Sequence, residues 1–128
     1  MTEIESILKS GVSSKDESLE KPTVADIKVA SIGLGFSFPK AYLEFVQLGG
    51  LSELRFNHAV LSPGEIWESS VFLPDKEHIP FAENGCGDMY CWRKNDSDNP
   101  DVLFWDHETG DYSKDSDNFS VWLRKNRF

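Results

Sequence analysis

The chain has 128 residues, a length that suits one domain with a single hydrophobic core. Nine Phe, four Trp and three Tyr residues supply large apolar area, so we expect the core to form without disulfide bonds or a structural metal ion. The net charge is −9, from 22 acidic and 13 basic residues, which argues against direct binding to nucleic acids or anionic membranes.

Residues 1–21 are predicted to form a short helix and a polar linker. Ile4, Ile7 and Leu8 form an apolar cluster, and a serine-rich stretch follows. The first thirty residues contain no apolar run long enough to span a bilayer and no secretory leader, and two cysteines are too few for a secreted disulfide scaffold. We therefore expect a cytoplasmic protein with no membrane contact and a single domain over 22–128.

Two helices are predicted next. Thr23 and Asp26 have the spacing of a capping box, and Gly33 and Gly35 offer stops for the helix that they begin. Phe38–Pro39 is expected to open a second helix, because proline suits the first helical position, and its apolar residues recur at helical spacing until Gly49–Gly50. The first half of the domain is therefore expected to be largely helical.

A strand and a short helix follow in the predicted order. Leu54–Val60 alternates between apolar and polar side chains, which indicates a strand. A capping signal for the start of a helix follows. Ser62 is the cap, Pro63 suits the first helical position, and Glu65 stands three residues after the cap. This helix is expected to end before Pro74.

The second half of the chain is predicted to form hairpin-linked strands and a closing helix. The expected strands are Ile79–Ala82, Asp88–Arg93 and Asp101–Asp106. The last two contain runs that are apolar on both faces, which predict central strands of a sheet covered by helices, although runs this short do not by themselves exclude a buried helix. Asp117 is a candidate cap for the last helix, after a turn at Gly110. The expected fold class is α+β, with a mainly antiparallel sheet of about four to six strands and helices packed against it.

Metal binding is not expected. Candidate zinc ligands are Cys86, Cys91, His78 and His107. A lone C-x4-C lacks the second ligand pair of common structural zinc sites, and Cys91 lies in an apolar strand where it reads as a core residue. Asp96, Asp98 and Asp101 resemble the start of a calcium loop, but the sixth-position glycine and twelfth-position glutamate are missing. No metal and no cofactor is assigned.

Catalytic signatures are also scarce. The chain has no nucleophile elbow, no phosphate-binding glycine loop and no zinc-deaminase motif. The most enzyme-like cluster is Asp106-His107-Glu108, because a histidine beside carboxylates can carry a proton. A solvated strand end whose histidine caps a turn explains this cluster more simply. We assign no catalytic residue and expect no enzyme, with a small hydrolase using His107 as an alternative.

The acidic surplus is concentrated in one segment. Residues 75–117 contain twelve acidic and four basic residues, which account for eight of the nine excess negative charges. A surface built from this segment attracts basic partners by long-range steering. We therefore expect its carboxylates to form one continuous outer face.

Four motifs follow one another along the chain: Phe38–Val46 with Gly49–Gly50, Ile79–Ala82 with Asn84–Asp88, Val102–Glu108, and Asn118–Leu123. In this order they resemble the SUKH superfamily. Each piece alone is unspecific, but their order and spacing extend the resemblance over about Pro22 to Leu123. The sequence departs from the pattern at Trp92, where relatives often have a polar residue, and in the short segment between Gly50 and Leu61.

The resemblance implies a mainly antiparallel sheet with helices packed against it. It also implies a protein-binding role, since bacterial members commonly neutralise a cognate toxin, often a nuclease. Eukaryotic relatives, which include the yeast cell-wall regulator family, act as interaction modules. The superfamily has no established catalytic residues, so none is transferred to this chain.

The function expected from the sequence is that of an immunity protein which binds a cognate toxin through an acidic face. The candidate partner-binding residues are Glu83, Asp88, Asp96, Asp98, Asp101, Asp106, Glu108 and Asp111. A regulatory interaction module of the same fold remains the main alternative. We expect the protein to act as a monomer or a weak homodimer.

Overall fold

The computed structural model describes residues 3–10, 22–53, 59–94 and 97–126. The helices are α1 (Glu3–Ser10), α2 (Val24–Leu34), α3 (Lys40–Gln47), α4 (Gly50–Glu53), α5 (Pro63–Ser69), a 3-10 turn (Ser70–Phe72) and α6 (Phe119–Asn126). The strands are β1 (Ala59–Val60), β2 (His78–Glu83), β3 (Met89–Arg93), β4 (Val102–Trp105) and β5 (Tyr112–Ser116). The fold is α+β, as predicted. Helices α1 to α4 precede β1, α5 and the 3-10 turn lie between β1 and β2, and α6 follows β5.

The five strands form one antiparallel sheet in the order β1-β2-β3-β4-β5. Because each strand pairs with its neighbour in the sequence, every second connection lies at the same end of the strands. The β2–β3 and β4–β5 turns therefore lie together, and we call residues 83–89 and 105–111 the hairpin end. The β3–β4 connection lies at the opposite end.

One face of the sheet is closed by an aromatic core between the strands and α3 and α6. Its largest fully buried side chains include Tyr42, Phe81, Trp92, Phe119 and Trp122. Phe81 stacks on Trp92 at 4.4 Å between ring centroids and meets Trp122 edge to face at 5.0 Å. Such ring pairs stabilise a core beyond simple area burial, so the sheet is a firm support for the turns at its ends.

Helix α1 belongs to the same core. Its Ile4 and Ile7 side chains are buried, and α1 contacts both α3 and α6. The Arg124 guanidinium pairs with the Glu3 carboxylate at 3.2 Å across the α1–α6 contact. The apolar cluster read from the sequence therefore does pack as a helix.

The predicted capping boxes form as expected. Thr23 caps α2 and Ser62 caps α5, and in each case the backbone N–H of the cap donates the reciprocal hydrogen bond to the carboxylate three residues later. The Tyr42 hydroxyl donates a 2.7 Å hydrogen bond to the carbonyl of Leu61, which fixes the entry of α5 against α3. Burial raises the pKa of Tyr42 well above its usual value, so this donor stays protonated.

The predicted cap of the last helix is wrong. The α6 cap is Asn118, whose side-chain oxygen accepts from the Val121 backbone at 3.0 Å, whereas Asp117 pairs with Lys114 at 2.9 Å. Gly49–Gly50 follows the end of α3, as predicted, and Gly50 also begins α4. Strand β4 lies between β3 and β5, as a central strand, and is half-buried beyond its first residue.

The strand predicted at Leu54–Val60 is observed only at Ala59–Val60, and residues 54–58 lie outside the described part of the chain. Strand β5 was not predicted. It is a polar edge strand with pattern Tyr-Ser-Lys-Asp-Ser, and an edge strand needs little apolar area because only one neighbour pairs with it.

Candidate partner-binding site

The sheet divides the predicted acidic residues into two groups. The hairpin end holds Glu83, Asp88, Asp106, Glu108 and Asp111. Asp98 and Asp101 lie in or beside the β3–β4 connection at the opposite end, and Asp96 lies outside the described residues. A strand of four to five residues separates the two ends by about 15 Å. The predicted residues therefore form two groups because antiparallel connections alternate between the two ends, and one continuous acidic face stays a prediction.

Asp88 joins the two turns of the hairpin end. Its Oδ1 accepts hydrogen bonds from the His107 backbone N–H at 3.1 Å and is 2.7 Å from the His107 Nδ1 atom. Its Oδ2 accepts from the Asn84 side-chain amide at 3.0 Å. These donors favour the charged carboxylate, with Asn84 contributing most, and they lower the pKa of Asp88 to about 2.

His107 is held by the same contact. The hydrogen bond to Asp88 raises the pKa of His107 above its ordinary value, and the neighbouring carboxylates of Glu108 and Asp106 add to this. Gly87, at φ 98°, lies against the imidazole, since a Cβ built there would be 3.1 Å from the ring. Only glycine suits that backbone conformation and that spacing. The β2–β3 turn and the β4–β5 turn are therefore one interlocked unit.

Asp106 shapes the β4–β5 turn. Its Oδ1 accepts from the Glu108 backbone N–H at 2.9 Å, and its carbonyl accepts from the Gly110 N–H at 2.7 Å. The Thr109 hydroxyl accepts from the Asp111 N–H at 3.2 Å. Glu108 and Asp111 are both exposed, so the turn presents their carboxylates to solvent on a hydrogen-bonded frame.

The carboxylates at the opposite end are partly neutralised. The Lys114 ammonium lies 2.9 Å from Asp117 and 3.7 Å from Asp101. These contacts raise the pKa of Lys114 and lower that of Asp117. The hairpin end has no such cation, because residues 83–89 and 105–111 include five acids and no lysine or arginine. Within these two segments the carboxylates are therefore not offset by a lysine or arginine.

The candidate zinc ligands do not gather. Among the described residues, one group of three or more such side chains brings its ligand atoms within 4.8 Å, namely Asp88, Asp106 and His107. Neither cysteine belongs to it, since Cys86 is exposed and Cys91 is buried in β3. Both oxygens of Asp88 already accept hydrogen bonds within the turns, so the geometry of this group is accounted for by the link between the hairpins.

A cleft opens beside the hairpin end. Its volume is about 380 Å³, and its lining residues are Phe72, Glu83, Gly85, Gly87, Asp88, Met89 and Trp105. The sequence indicated the two carboxylates of this set but not the aromatic residues. Phe72 was missed because it follows α5 in an apolar stretch that reads as core, whereas 69% of its side chain is exposed.

A second polar cluster, which the sequence did not indicate, ties the sheet together. Asp75 accepts from the Tyr112 hydroxyl at 3.0 Å and lies 2.8 Å from the His78 Nδ1 atom. The His78 and Tyr112 rings stack at 3.8 Å, although β3 and β4 lie between their strands. Burial opposes ionisation of Asp75, but hydrogen bonds from His78, Glu77 and Tyr112 outweigh it and lower its pKa. The sheet is therefore strongly curved toward this cluster.

The fold defines a small α+β domain in which an antiparallel meander carries an acidic pair of turns. The model of the SMI1 / KNR4 family (SUKH-1) matches residues 21–125, and the chain belongs to this family. The resemblance to the SUKH superfamily is thereby confirmed. Neither a curated protein nor a solved structure matches the chain. Within the described residues, no helix combines the length and apolarity needed to cross a bilayer.

Proposed function

We propose that this chain is an immunity protein that binds and neutralises a cognate bacterial toxin in the cytoplasm, without catalysing a reaction. Family membership supports a protein-binding role. The observation that carries the proposal is the hairpin end, where five carboxylates stand on two interlocked turns without a lysine or arginine. A surface of this kind suits a partner with a basic surface, such as a nuclease.

The rigidity of the turns, like their negative charge, supports the proposed binding. Asp88 and Asp106 are held by hydrogen bonds within the turns, while Glu83, Glu108 and Asp111 project as exposed side chains. A preformed surface loses little conformational freedom when it binds. We therefore assign contact with the toxin chiefly to Glu83, Glu108 and Asp111, with the other two carboxylates as their support.

The same surface also suits a regulatory partner that is not a toxin. That alternative differs only in the identity of the basic protein bound. A hydrolase using His107 is favoured by one observation, the hydrogen-bonded Asp88–His107 pair, which could orient a general base. The contacts of the His107 backbone N–H and ring with Asp88 also link the two turns, which explains the pair without catalysis.

The test is co-expression with the product of the adjacent gene, followed by measurement of growth and of affinity. We expect the wild-type chain to protect cells and to bind as a monomer or weak homodimer. The variant E83Q/E108Q/D111N should bind at least about tenfold more weakly, with most of the loss in the association rate. The matched control D98N/D101N removes charge from the opposite end and should retain binding.

Two results would count against the proposal. One is that the product of the adjacent gene does not bind the chain and that the chain does not protect cells against that product. The other is turnover of a substrate that disappears in His107→Ala while the melting temperature is unchanged, which would identify a hydrolase. Equal loss of affinity in the two charge variants would contradict the assignment to the hairpin end.

A further inference from the structure

The cleft at the hairpin end combines aromatic walls with a negatively charged rim. Phe72 and Trp105 supply aromatic surface, Met89 supplies apolar surface, and Glu83 and Asp88 supply the charges. Phe72 leaves 69% of a large aromatic side chain in solvent, whereas Trp67, the other exposed aromatic residue among those that the structure describes, leaves 42%. An exposed aromatic beside carboxylates is a feature of binding surfaces more than of folding.

Strand register places three of these side chains in a row. Glu83 pairs with Met89 across β2 and β3, and Met89 pairs with Trp105 across β3 and β4. Directly opposite residues of antiparallel strands point to the same face of the sheet. The carboxylate, the thioether and the indole therefore stand side by side on the sheet face away from the aromatic core.

Phe72 closes the cleft from outside the sheet. The 3-10 turn that carries it follows α5 and is fixed by the Ser70 hydroxyl, which donates to the Trp67 carbonyl at 2.7 Å. Leu73, the next residue, is buried and anchors the chain to the core. Phe72 is thus held at its position by its neighbours, although its own ring is exposed.

The chemistry of the cleft selects its occupant. A purely apolar group would strip water from the Glu83 and Asp88 carboxylates without replacing the lost hydrogen bonds. An anionic group would be repelled by them. A guanidinium suits both the aromatic walls and the carboxylates of the cleft. Its flat face stacks on aromatic rings, and its N–H groups donate in pairs to a carboxylate. Its aliphatic stem fits against Met89 and Phe72.

The Glu83 carboxylate is free to take such a donor. It is exposed and has no hydrogen-bond or ion-pair partner among the described residues. Asp88 is less available, since both of its oxygens accept hydrogen bonds from the turns. A bound guanidinium is therefore expected to pair with Glu83 and to be attracted by Asp88 at longer range.

We propose that this cleft receives an arginine side chain of the partner protein, stacked on Phe72 or Trp105 and paired with the Glu83 carboxylate. The inference rests on the proposed function, and it specifies which chemical group of the basic partner anchors the complex. Arginine is preferred over lysine because an ammonium is more strongly hydrated and cannot stack.

The first test uses small probes and needs no toxin. Nα-acetyl-arginine amide, the lysine equivalent and the neutral citrulline equivalent are titrated at low salt, and the protein is followed by NMR. We expect the arginine probe to shift the Gly85 and Gly87 amides and the Trp105 indole N–H in a saturable way. Lysine should bind more weakly and citrulline should not bind. Equal shifts from arginine and citrulline, or shifts spread over all carboxylates, would overturn the inference.

The second test uses variants with a matched control. Phe72→Ala and Glu83→Gln should each weaken the arginine probe by about two- to fivefold. Val71→Ala removes an equally exposed side chain from the same turn, outside the cleft, and should change nothing. Because these side chains are exposed, the melting temperature should stay near that of the wild type. Unchanged probe affinity in Phe72→Ala and Glu83→Gln would contradict the proposal.

The two proposals can fail separately. If the toxin binds and Glu108 and Asp111 matter while Phe72 and Glu83 do not, the immunity function stands and the arginine cleft is wrong. If the arginine probe binds in the cleft but no toxin is found, the cleft is real and the immunity function is wrong.

Discussion

The His107 backbone N–H and the Asp88 carboxylate are joined by a 3.1 Å hydrogen bond, and the His107 ring nitrogen Nδ1 lies 2.7 Å from the same oxygen. The two residues are 19 positions apart and belong to different turns. One carboxylate therefore links the two turns, beside the backbone pairing of Met89 with Trp105. We expect this contact to help hold the acidic surface that we propose for binding.

Replacing Asp88 should loosen the hairpin end. In Asp88→Ala, the N–H groups of His107 and Asn84 lose their acceptor, so we expect a lower melting temperature and faster amide hydrogen exchange at His107. Hydrogen exchange followed by NMR measures this directly. Asp98→Asn, at the opposite end, is the control and should leave exchange at the hairpin end unchanged. Wild-type exchange at His107 in Asp88→Ala would show that the contact holds nothing in place.

Stability should depend on pH through the same pair. The pKa of His107 is raised in the folded state, so its contribution is fully present below about pH 6.5 and is lost as pH rises through the folded value. The pKa of Asp88 is lowered to about 2, so its contribution is present above about pH 4 and is lost as pH falls toward 2. Between these limits the ion pair is complete.

The matching measurement is an NMR titration of the His107 ring in wild type and in Asp88→Asn. The variant removes the principal cause of the raised pKa, so the titration midpoint of His107 should fall toward its ordinary value. Unfolding in denaturant at pH 6 and pH 8 should show a smaller pH dependence in His107→Gln than in the wild type. An unchanged midpoint in Asp88→Asn would mean that the imidazole is charged for another reason.

The Tyr112 hydroxyl is expected to stabilise the curvature of the sheet. Tyr112→Phe keeps the ring that stacks on His78 but removes the hydrogen bond to Asp75, so we expect a loss of about 1 kcal/mol in the free energy of unfolding. Ser113→Ala, on the exposed side of the same strand, should have little effect. Denaturant unfolding measures both variants, and equal stability of the two would show that the hydrogen bond contributes nothing.

The order of elements and the helix caps were predictable because their signals are local. Ser62, Pro63 and Glu65 specify a helix start within four residues, and the structure shows that capping box. The apolar runs of β3 and β4 likewise indicated strands. Strand β5 was not predictable in this way, because Tyr112 acquires its role only through Asp75 and His78, which come from distant parts of the chain.

The candidate site was predictable in composition but not in arrangement. Counting charges identified Glu83, Asp106 and the other carboxylates, and hairpin turns were expected between the strands. The division of the acids between two ends follows from strand order and strand length, which a single sequence does not fix. The exposure of Phe72 also depends on tertiary packing, since apolar residues in sequence are read as core by default.

Two helical glycines offer the sharpest test of the packing. A Cβ built at Gly50 would fall within the Phe45 ring, whereas a Cβ at Gly64 would meet no atom within 4 Å. Gly50→Ala should therefore force the buried Phe45 out of place and cost about 1–3 kcal/mol of unfolding free energy. Gly64→Ala should instead stabilise the protein by about 0.4–1 kcal/mol, because alanine restricts the unfolded chain.

Both glycine variants are measured by the same denaturant unfolding curve, so each serves as control for the other. The expected changes in unfolding free energy have opposite signs. They therefore separate the effect of close packing from the general effect of alanine on a helix, which is favourable at both sites. Equal stability of Gly50→Ala and Gly64→Ala would contradict the close packing of Gly50 on Phe45. The observed contact between α3 and α4 would then not be tight at this position.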